Sequence, residues 1–313
     1  MTRAITFPGQ GSQAVGMGKE LAAAFPAARE VFQEIDEALK QKLSVLMFEG
    51  PADTLTLTEN AQPALMAVSL AVMRVLEREL GFSFGRHAAY VAGHSLGEYS
   101  ALCASGALGL SDTARLLKRR GQAMQRAVPV GEGAMAALLG IEVEGAKKLA
   151  EAAAKGQICA IANDNGAGQV VLSGTKAAID RAIALAPEYG IKRAMPLPVS
   201  APFHSPLMAP AAREMEEALA DVTIAPPKVP VIANVTAEPV SDPDRIRKLL
   251  VEQVTGLVRW RESVERFKGL GVTETVEAGA GKVLTGLAKR IDRDLTAVAV
   301  GLPAEIEAFG KTL

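Results

Sequence analysis

Short runs of apolar and β-branched residues recur along the chain at Ala4 to Phe7, Ala88 to Ala92, Val229 to Ala233, Thr275 to Ala278 and Ala297 to Val300. Each is too short for a helix and lacks a polar face, so each reads as a strand covered on both sides. Between them lie longer stretches in which apolar residues return every three or four positions, the spacing of helices packed along one stripe. Strands alternating with helices predict an α/β fold with a mainly parallel sheet. Between Gly131 and Ser200 the rhythm changes. Strand (Ala134 to Ile141), helix (Val143 to Ala154), strand (Ile158 to Asn163), strand (Gln169 to Ser173), helix (Lys176 to Tyr189) and strand (Lys192 to Pro198) follow one another. This β-α-β-β-α-β order is that of a ferredoxin-like unit. It predicts a small subdomain, residues 131–198, inserted into a larger one built from 1–130 and 199–313, with a cleft between them. There is no repeat of solenoid period and no low-complexity tract.

Composition narrows the class without naming a partner. The 313 residues are 49% hydrophobic and 22% charged, and 34 basic against 35 acidic side chains leave a formal net charge of -1. That is an ordinary globular balance with no overall field to draw in nucleic acid or membrane. Cys103 and Cys159 are far apart, with no C-x-x-C and no Cys/His cluster, so reduced thiols and no metal site are expected. The opening "MTRAITFPGQG" breaks at Pro8-Gly9 before a signal-peptide core can form, and the most apolar helix, Ala64 to Leu76, is interrupted by Arg74. A soluble, cytoplasmic protein is expected.

The chemistry starts at "YVAGHSLGEYSA", Tyr90 to Ala101. A strand runs into Gly93, a helix reads from Leu96 to Ala104, and Ser95 stands at the turn between two glycines. This is the G-x-S-x-G nucleophile elbow, whose sharp bend leaves no room for a Cβ at the flanks and pushes the serine outward. The unpaired N–H groups of the helix start favour an oxyanion beside Ser95, and the N–H of Leu96 is the natural donor.

A serine hydroxyl needs a base, and the chain has three histidines: His87, His94 and His204. His87 stands at the far end of the strand leading to Ser95, roughly 25 Å away at the rise of a strand. His94 adjoins Ser95 in the elbow, where neighbouring side chains diverge, and reads as packed or locally bonded. That leaves His204, in "VSAPFHSPL", a loop pinned by Pro202 and Pro206; the alternative for it is an ordinary surface-loop histidine.

Arg120 falls on the apolar stripe of a helix from Ser111, read as its N-cap, to Val128. Leu116, Leu117, Ala123, Met124, Ala127 and Val128 share that stripe, while Arg115, Lys118, Arg119, Gln122 and Arg126 take the other face. An inward guanidinium must be paired. It either meets an internal carboxylate or clamps a carboxylate of the substrate.

Two glycine-rich stretches lead elsewhere. "PGQGSQA" places Gly9, Gly11 and Ala14 after a strand, as in a dinucleotide fingerprint, but Arg29 to Lys40 is helical where a second strand ending in an acid is required. "GAGKVLTG" follows Lys282 with Val283 rather than Ser or Thr, so the phosphate-loop motif fails and a strand-to-helix turn is expected.

Taken together, these residues resemble the malonyl-CoA:acyl-carrier-protein transacylases of fatty-acid synthesis and the related acyltransferase domains of polyketide synthases. The resemblance runs the length of the chain through "FPGQGSQ" (Phe7 to Gln13), "QPAL" (Gln62 to Leu65), "GHSLGEYSA", "RGQAMQ" (Arg120 to Gln125), "GQVVLSG" (Gly168 to Gly174), "FHS" (Phe203 to Ser205) and "GKVLTGL" (Gly281 to Leu287). It implies an α/β-hydrolase-like core with a ferredoxin-like insert. It further implies Ser95 as the acylated nucleophile, His204 as its base, the N–H groups of Gln10 and Leu96 as the oxyanion hole, and Arg120 as the group that binds the malonyl carboxylate. The backbone carbonyl at Gln253 would orient the histidine in place of an acid; Asp164 is the other possibility, although nothing in its spacing selects it. Gln62, Asn163 and Phe203 would face the cleft, and Phe203 before the histidine resembles the pattern associated with malonyl rather than methylmalonyl selection. The implied substrate is malonyl-CoA, a coenzyme A thioester, with no bound cofactor and no metal. The implied partner is acyl carrier protein, met by a monomer, with Lys192, Arg193, Lys289 and Arg290 as candidates for a basic rim or as ordinary solvated charges.

Rival readings are a serine thioesterase or other hydrolase, a polyketide-type acyltransferase with another acyl preference, and a non-catalytic acyl-binding scaffold. Against the hydrolases stand the missing acid, the inward Arg120, the lack of an HGGG-type loop, and Asn165 where a D-G-G motif would need glycine after Asp164.

Overall fold

The computed structural model describes residues 2–199 and 201–313. Its strands are β1 (Arg3–Phe7), β2 (Tyr90–Gly93), β3 (Gly133–Leu139), β4 (Cys159–Gly166), β5 (Gln169–Thr175), β6 (Arg193–Pro196), β7 (Val231–Ile232), β8 (Pro239–Val240), β9 (Glu274–Ala278) and β10 (Thr296–Val300). Six form one sheet in the order β10-β9-β1-β2-β7-β8, parallel except for the β7/β8 pair. Alternation within its strands feeds two cores. Ile5, Phe7 and Val91 pack on one face with the helix Thr58–Leu80, and Ala4, Ala92 and Ile232 pack on the other with Trp260, Val264, Phe267 and Leu287. The other four strands form an antiparallel sheet in the order β4-β5-β3-β6. The helices Val143–Ala154 and Lys176–Leu185 cover it, and Leu138, Leu149, Leu172 and Ile179 fill the space between.

Local chemistry moves several boundaries from their expected places. The strand expected from Ala88 starts at Tyr90, because the Ala88 carbonyl is taken by the N–H of Gly85 in the preceding turn. The run Val229 to Ala233 yields only two strand residues: Pro230 has no N–H to offer, and the chain turns at Ala233. β4 runs on to Gly166 through two register shifts, beyond the Asn163 end expected from the turn-like Asp164-Asn165-Gly166. The second helix of this unit leaves the α form after Leu185, where Pro187 removes a donor, and ends as a 3-10 turn. Ser111 is not an N-cap. The helix runs Leu110–Ala127 with Gly109 at the cap, and the first-turn hydroxyl that bonds back to the Gly109 carbonyl belongs to Thr113.

The small sheet is tied at one edge to the segment leading into the helix Trp260–Gly269. Val258 donates to the Ala162 carbonyl at 2.9 Å and Asp164 donates its N–H to Val258 at 3.0 Å, while Arg261 pairs with the Asp164 carboxylate at 2.9 Å. A cleft opens beside this seam at the carboxyl ends of β1 and β2.

Candidate active site

Ser95 sits where β2 turns into the helix Gly97–Ala104, with φ of 53°. A left-handed serine costs on the order of 1–3 kcal/mol and persists only where its surroundings hold it. The flanking glycines are part of that hold. A Cβ on Gly93 would lie 1.9 Å from the Gly97 carbonyl, and one on Gly97 would lie 2.3 Å from the Phe7 carbonyl. Asn234, at the end of β7, braces the turn: its Oδ1 accepts from the Ser95 N–H at 2.7 Å and its Nδ2 donates to the Gly93 carbonyl at 2.7 Å.

His204 has φ of 55°, a second left-handed residue in the same site. Its Nε2 is 2.7 Å from Ser95 Oγ and its Nδ1 is 2.9 Å from the backbone oxygen of Gln253. A carbonyl only accepts, so Nδ1 carries the proton and Nε2 is left to accept from the serine hydroxyl. Burial and then the nearby Arg120 guanidinium push the histidine down to about 3, so the imidazole is neutral at ordinary pH.

Arg120 is 1% exposed, and among the described residues no carboxylate lies within ion-pair distance of it. Its internal partners are neutral. Nη1 donates to Gln62 Oε1 at 2.7 Å, and Nη2 donates to Gln253 Oε1 at 2.8 Å and to Ser95 Oγ at 3.3 Å. The face of Tyr99 lies 5.6 Å from the guanidinium carbon. The internal ion pair weighed from the sequence is therefore not formed.

The cleft, about 200 Å³, is lined by Gln10, Gln62, Ser95, Leu96, Arg120, Asn163, Phe203 and His204, with Met124 and Met135 among its apolar wall. Gln253 stands behind it, fully buried. Among the described residues, neither the N–H of Gln10 nor that of Leu96 has a hydrogen-bond acceptor. Asp164 is turned away, bonded to Arg261 and to the N–H of Gly166. His94 lines the cleft but reaches across the seam, its Nε2 2.9 Å from Asn165 Oδ1 and its ring tilted on Trp260, and burial keeps it below the usual histidine range. His87 bonds within its own turn, to the N–H of Ser83. Lys192, Arg193, Lys289 and Arg290 are exposed and do not line the cleft.

Sequence reasoning missed Asn234 and Glu98. Asn234 is 139 positions from the serine it braces. Glu98 directly follows the elbow motif and carried a signal that was not used: a lone carboxylate in the first turn of a helix with no other charged residue. It is 2% exposed, and burial pushes it up to about 7.

A half-buried serine against a buried imidazole and a buried guanidinium, at the carboxyl edge of a parallel sheet, is an arrangement suited to acyl transfer. The profile of the acyl transferase domain matches residues 5–291, and the chain belongs to that family. It is 47% identical over 311 residues to the malonyl CoA-acyl carrier protein transacylase of Bacillus subtilis strain 168, covering 99% of this chain and 96% of that one. The crystal structure of acyl-carrier-protein-S-malonyltransferase from Bartonella henselae is similar with a TM-score of 0.97 at 58% identity, over 100% of this chain and 99% of the other. A malonyl-transacylase solved in complex with its type II PKS acyl-carrier protein aligns over 100% of both chains with a TM-score of 0.96 at 40% identity. Among the described residues no helix is long and apolar enough to cross a membrane.

Proposed function

We propose that this protein transfers the malonyl group of malonyl-CoA to the phosphopantetheine thiol of acyl carrier protein through a malonyl ester on Ser95. The observation that carries the reading is Arg120: a guanidinium inside the cleft, 3.3 Å from the serine oxygen, with only neutral partners in the protein. In malonate the carboxyl carbon is two C–C bonds, about 2.5 Å, from the reacting carbonyl carbon. A malonyl carbonyl in front of Ser95 thus brings its carboxylate to the guanidinium. A cleft of about 200 Å³ is below the roughly 300–1,000 Å³ of pockets for drug-sized ligands, which suits a short acyl chain.

His204 Nε2 takes the hydroxyl proton as Ser95 Oγ bonds to the thioester carbon. The oxyanion is received by the N–H groups of Gln10 and Leu96, which have no acceptor of their own. Collapse breaks the C–S bond, and His204 returns the proton to the coenzyme A sulfur. The carrier thiol then repeats the sequence in reverse. The Gln253 carbonyl holds the ring on the correct tautomer and accepts from the imidazolium. Gln62 holds one arm of Arg120, and Asn163, Phe203 and the two methionines shape the acyl pocket.

The small sheet's order β4-β5-β3-β6 with its two helices supports the ferredoxin-like reading of residues 131–198, and the parallel sheet with its elbow supports a hydrolase-like core from 1–130 and 199–313. The free thiols of Cys103 and Cys159 support a reducing, cytoplasmic setting. The protein is read as a monomer with no bound cofactor, presenting the four exposed basic residues to an acidic carrier.

Mass spectrometry after incubation with malonyl-CoA tests this. A malonyl adduct on Ser95 that passes to a carrier-protein thiol faster than it hydrolyses is expected. Rapid release of free malonate would make the protein a hydrolase, and no adduct at all would make it a scaffold.

A further inference from the structure

Three working side chains converge on one group that none of the reacting atoms touches. Glu98 Oε2 accepts from the side-chain amide of Gln253 at 2.7 Å and from the backbone N–H of Asn234 at 3.1 Å. Gln253 in turn meets Arg120 through Oε1 at 2.8 Å, the Ser95 carbonyl through Nε2 at 3.0 Å, and His204 through its backbone oxygen at 2.9 Å. Asn234 holds the Ser95 N–H. We infer that Glu98 is a positioning residue of the transfer reaction, fixing Ser95, His204 and Arg120 at once through Gln253 and Asn234.

The argument is one of donors and acceptors. The Gln253 amide is wedged between a guanidinium, which only donates, and a carboxyl oxygen that accepts. Its oxygen must therefore face Arg120 and its nitrogen must face Glu98. Half a turn of the amide would set NH₂ against the guanidinium and its oxygen against both the Glu98 oxygen and the Ser95 carbonyl, repulsive contacts in a buried site. Without Glu98 the nitrogen keeps the Ser95 carbonyl, with Asn234 Oδ1 at 3.5 Å, and one of the contacts that oppose the half-turn is gone. The same deletion leaves the buried Asn234 N–H without its acceptor, loosening the brace that holds Ser95 in its left-handed turn. Oε2 can accept with or without a proton on the other oxygen, so the device does not depend on the charge of Glu98.

This inference rests on the proposed malonyl transfer. Its test is the burst of acyl-enzyme formed on mixing with malonyl-CoA and, separately, with acetyl-CoA, in wild type, Glu98→Gln and Glu98→Ala. The amplitude counts competent sites and the rate reports each site. Glu98→Gln keeps an acceptor oxygen and should hold its per-site rate within about tenfold, whereas Glu98→Ala should lose about 100-fold or more per site, as small misplacements of catalytic groups do. Its malonyl preference should also fall toward that of Arg120→Ala. A purely structural carboxylate would lower amplitude and melting temperature but leave per-site rate and preference intact. The inference is overturned by a per-site rate and preference in Glu98→Ala close to wild type, by equal damage in both variants, or by failure of both to fold. If wild type itself shows no burst, the malonyl reading falls instead. Labelling of Ser95 by phenylmethylsulfonyl fluoride, which needs the serine and histidine but no malonyl group, then decides the role of Glu98, with slow labelling in Glu98→Ala supporting it and wild-type labelling overturning it.

Discussion

Arg120 Nη2 lies 3.3 Å from Ser95 Oγ, so a permanent positive charge, itself buried, stands beside the half-buried hydroxyl. In the proposed mechanism this charge would favour an acyl group that carries a carboxylate next to its carbonyl, and it would donate to the serine oxygen as that oxygen gives its proton to His204.

Arg120→Ala should therefore lower kcat/KM for malonyl-CoA by about 10²–10³, the range for losing one member of a buried charge-assisted pair, while acetyl transfer falls by less than about tenfold. Steady-state kinetics on the two thioesters checks this. Equal losses would remove the carboxylate clamp.

Replacing His204 should change the acid limb of stability. The histidine titrates near 3 in the folded protein against 6.5 in its ordinary state. The unfolded chain takes up this proton first, so stability present above pH 6.5 is lost as pH falls toward 3, by on the order of 5 kcal/mol at most. Urea titrations of His204→Gln between pH 7 and 4 should show a shallower decline than wild type. An unchanged slope would mean that the ring is not held neutral.

Glu98 acts with the opposite sign. Its carboxyl titrates near 7 when folded against 4.5 in its ordinary state, so its contribution is full below pH 4.5 and is lost as pH rises to about 7. Glu98→Gln does not titrate. Its melting temperature relative to wild type should climb between pH 4.5 and 7 and level off above, and a difference independent of pH would show that the carboxyl is not raised.

Adding one methyl group distinguishes the elbow from an ordinary helix. In Gly97→Ala the new Cβ would meet the Phe7 carbonyl at 2.3 Å, whereas in Gly286→Ala nothing lies within 4 Å. The first should destabilise by about 1–3 kcal/mol, as overpacking does, and slow acylation. The second should be neutral or stabilising by up to about 1 kcal/mol, as alanine replaces glycine in a helix. Chemical denaturation with a burst assay on each would reveal whether the backbone bend needs a bare glycine.

Much of this site could be read without coordinates because its signals are local. A serine between two glycines at the end of an apolar run, a single arginine on an apolar helix stripe, and one histidine left after two were set aside are all features of neighbouring residues. The misplaced Ser111 cap shows the limit of such cues. Ser111 can cap on paper, but Gly109 takes the extended conformation and Thr113 bonds back to its carbonyl.

Residue spacing and type by themselves determined where the chain bends sharply, which strands are buried, and that a cation must point inward at position 120. They left open what that cation meets. Folding decided it by bringing Gln62, Ser95 and Gln253 around the guanidinium and leaving every carboxylate beyond ion-pair distance among the described residues. Folding also joined Glu98 to Asn234 and Gln253 across 136 and 155 positions. The reason is that hydrogen bonds made where separate strands and helices end side by side depend on the packing of the whole sheet, which leaves no periodic trace along the chain.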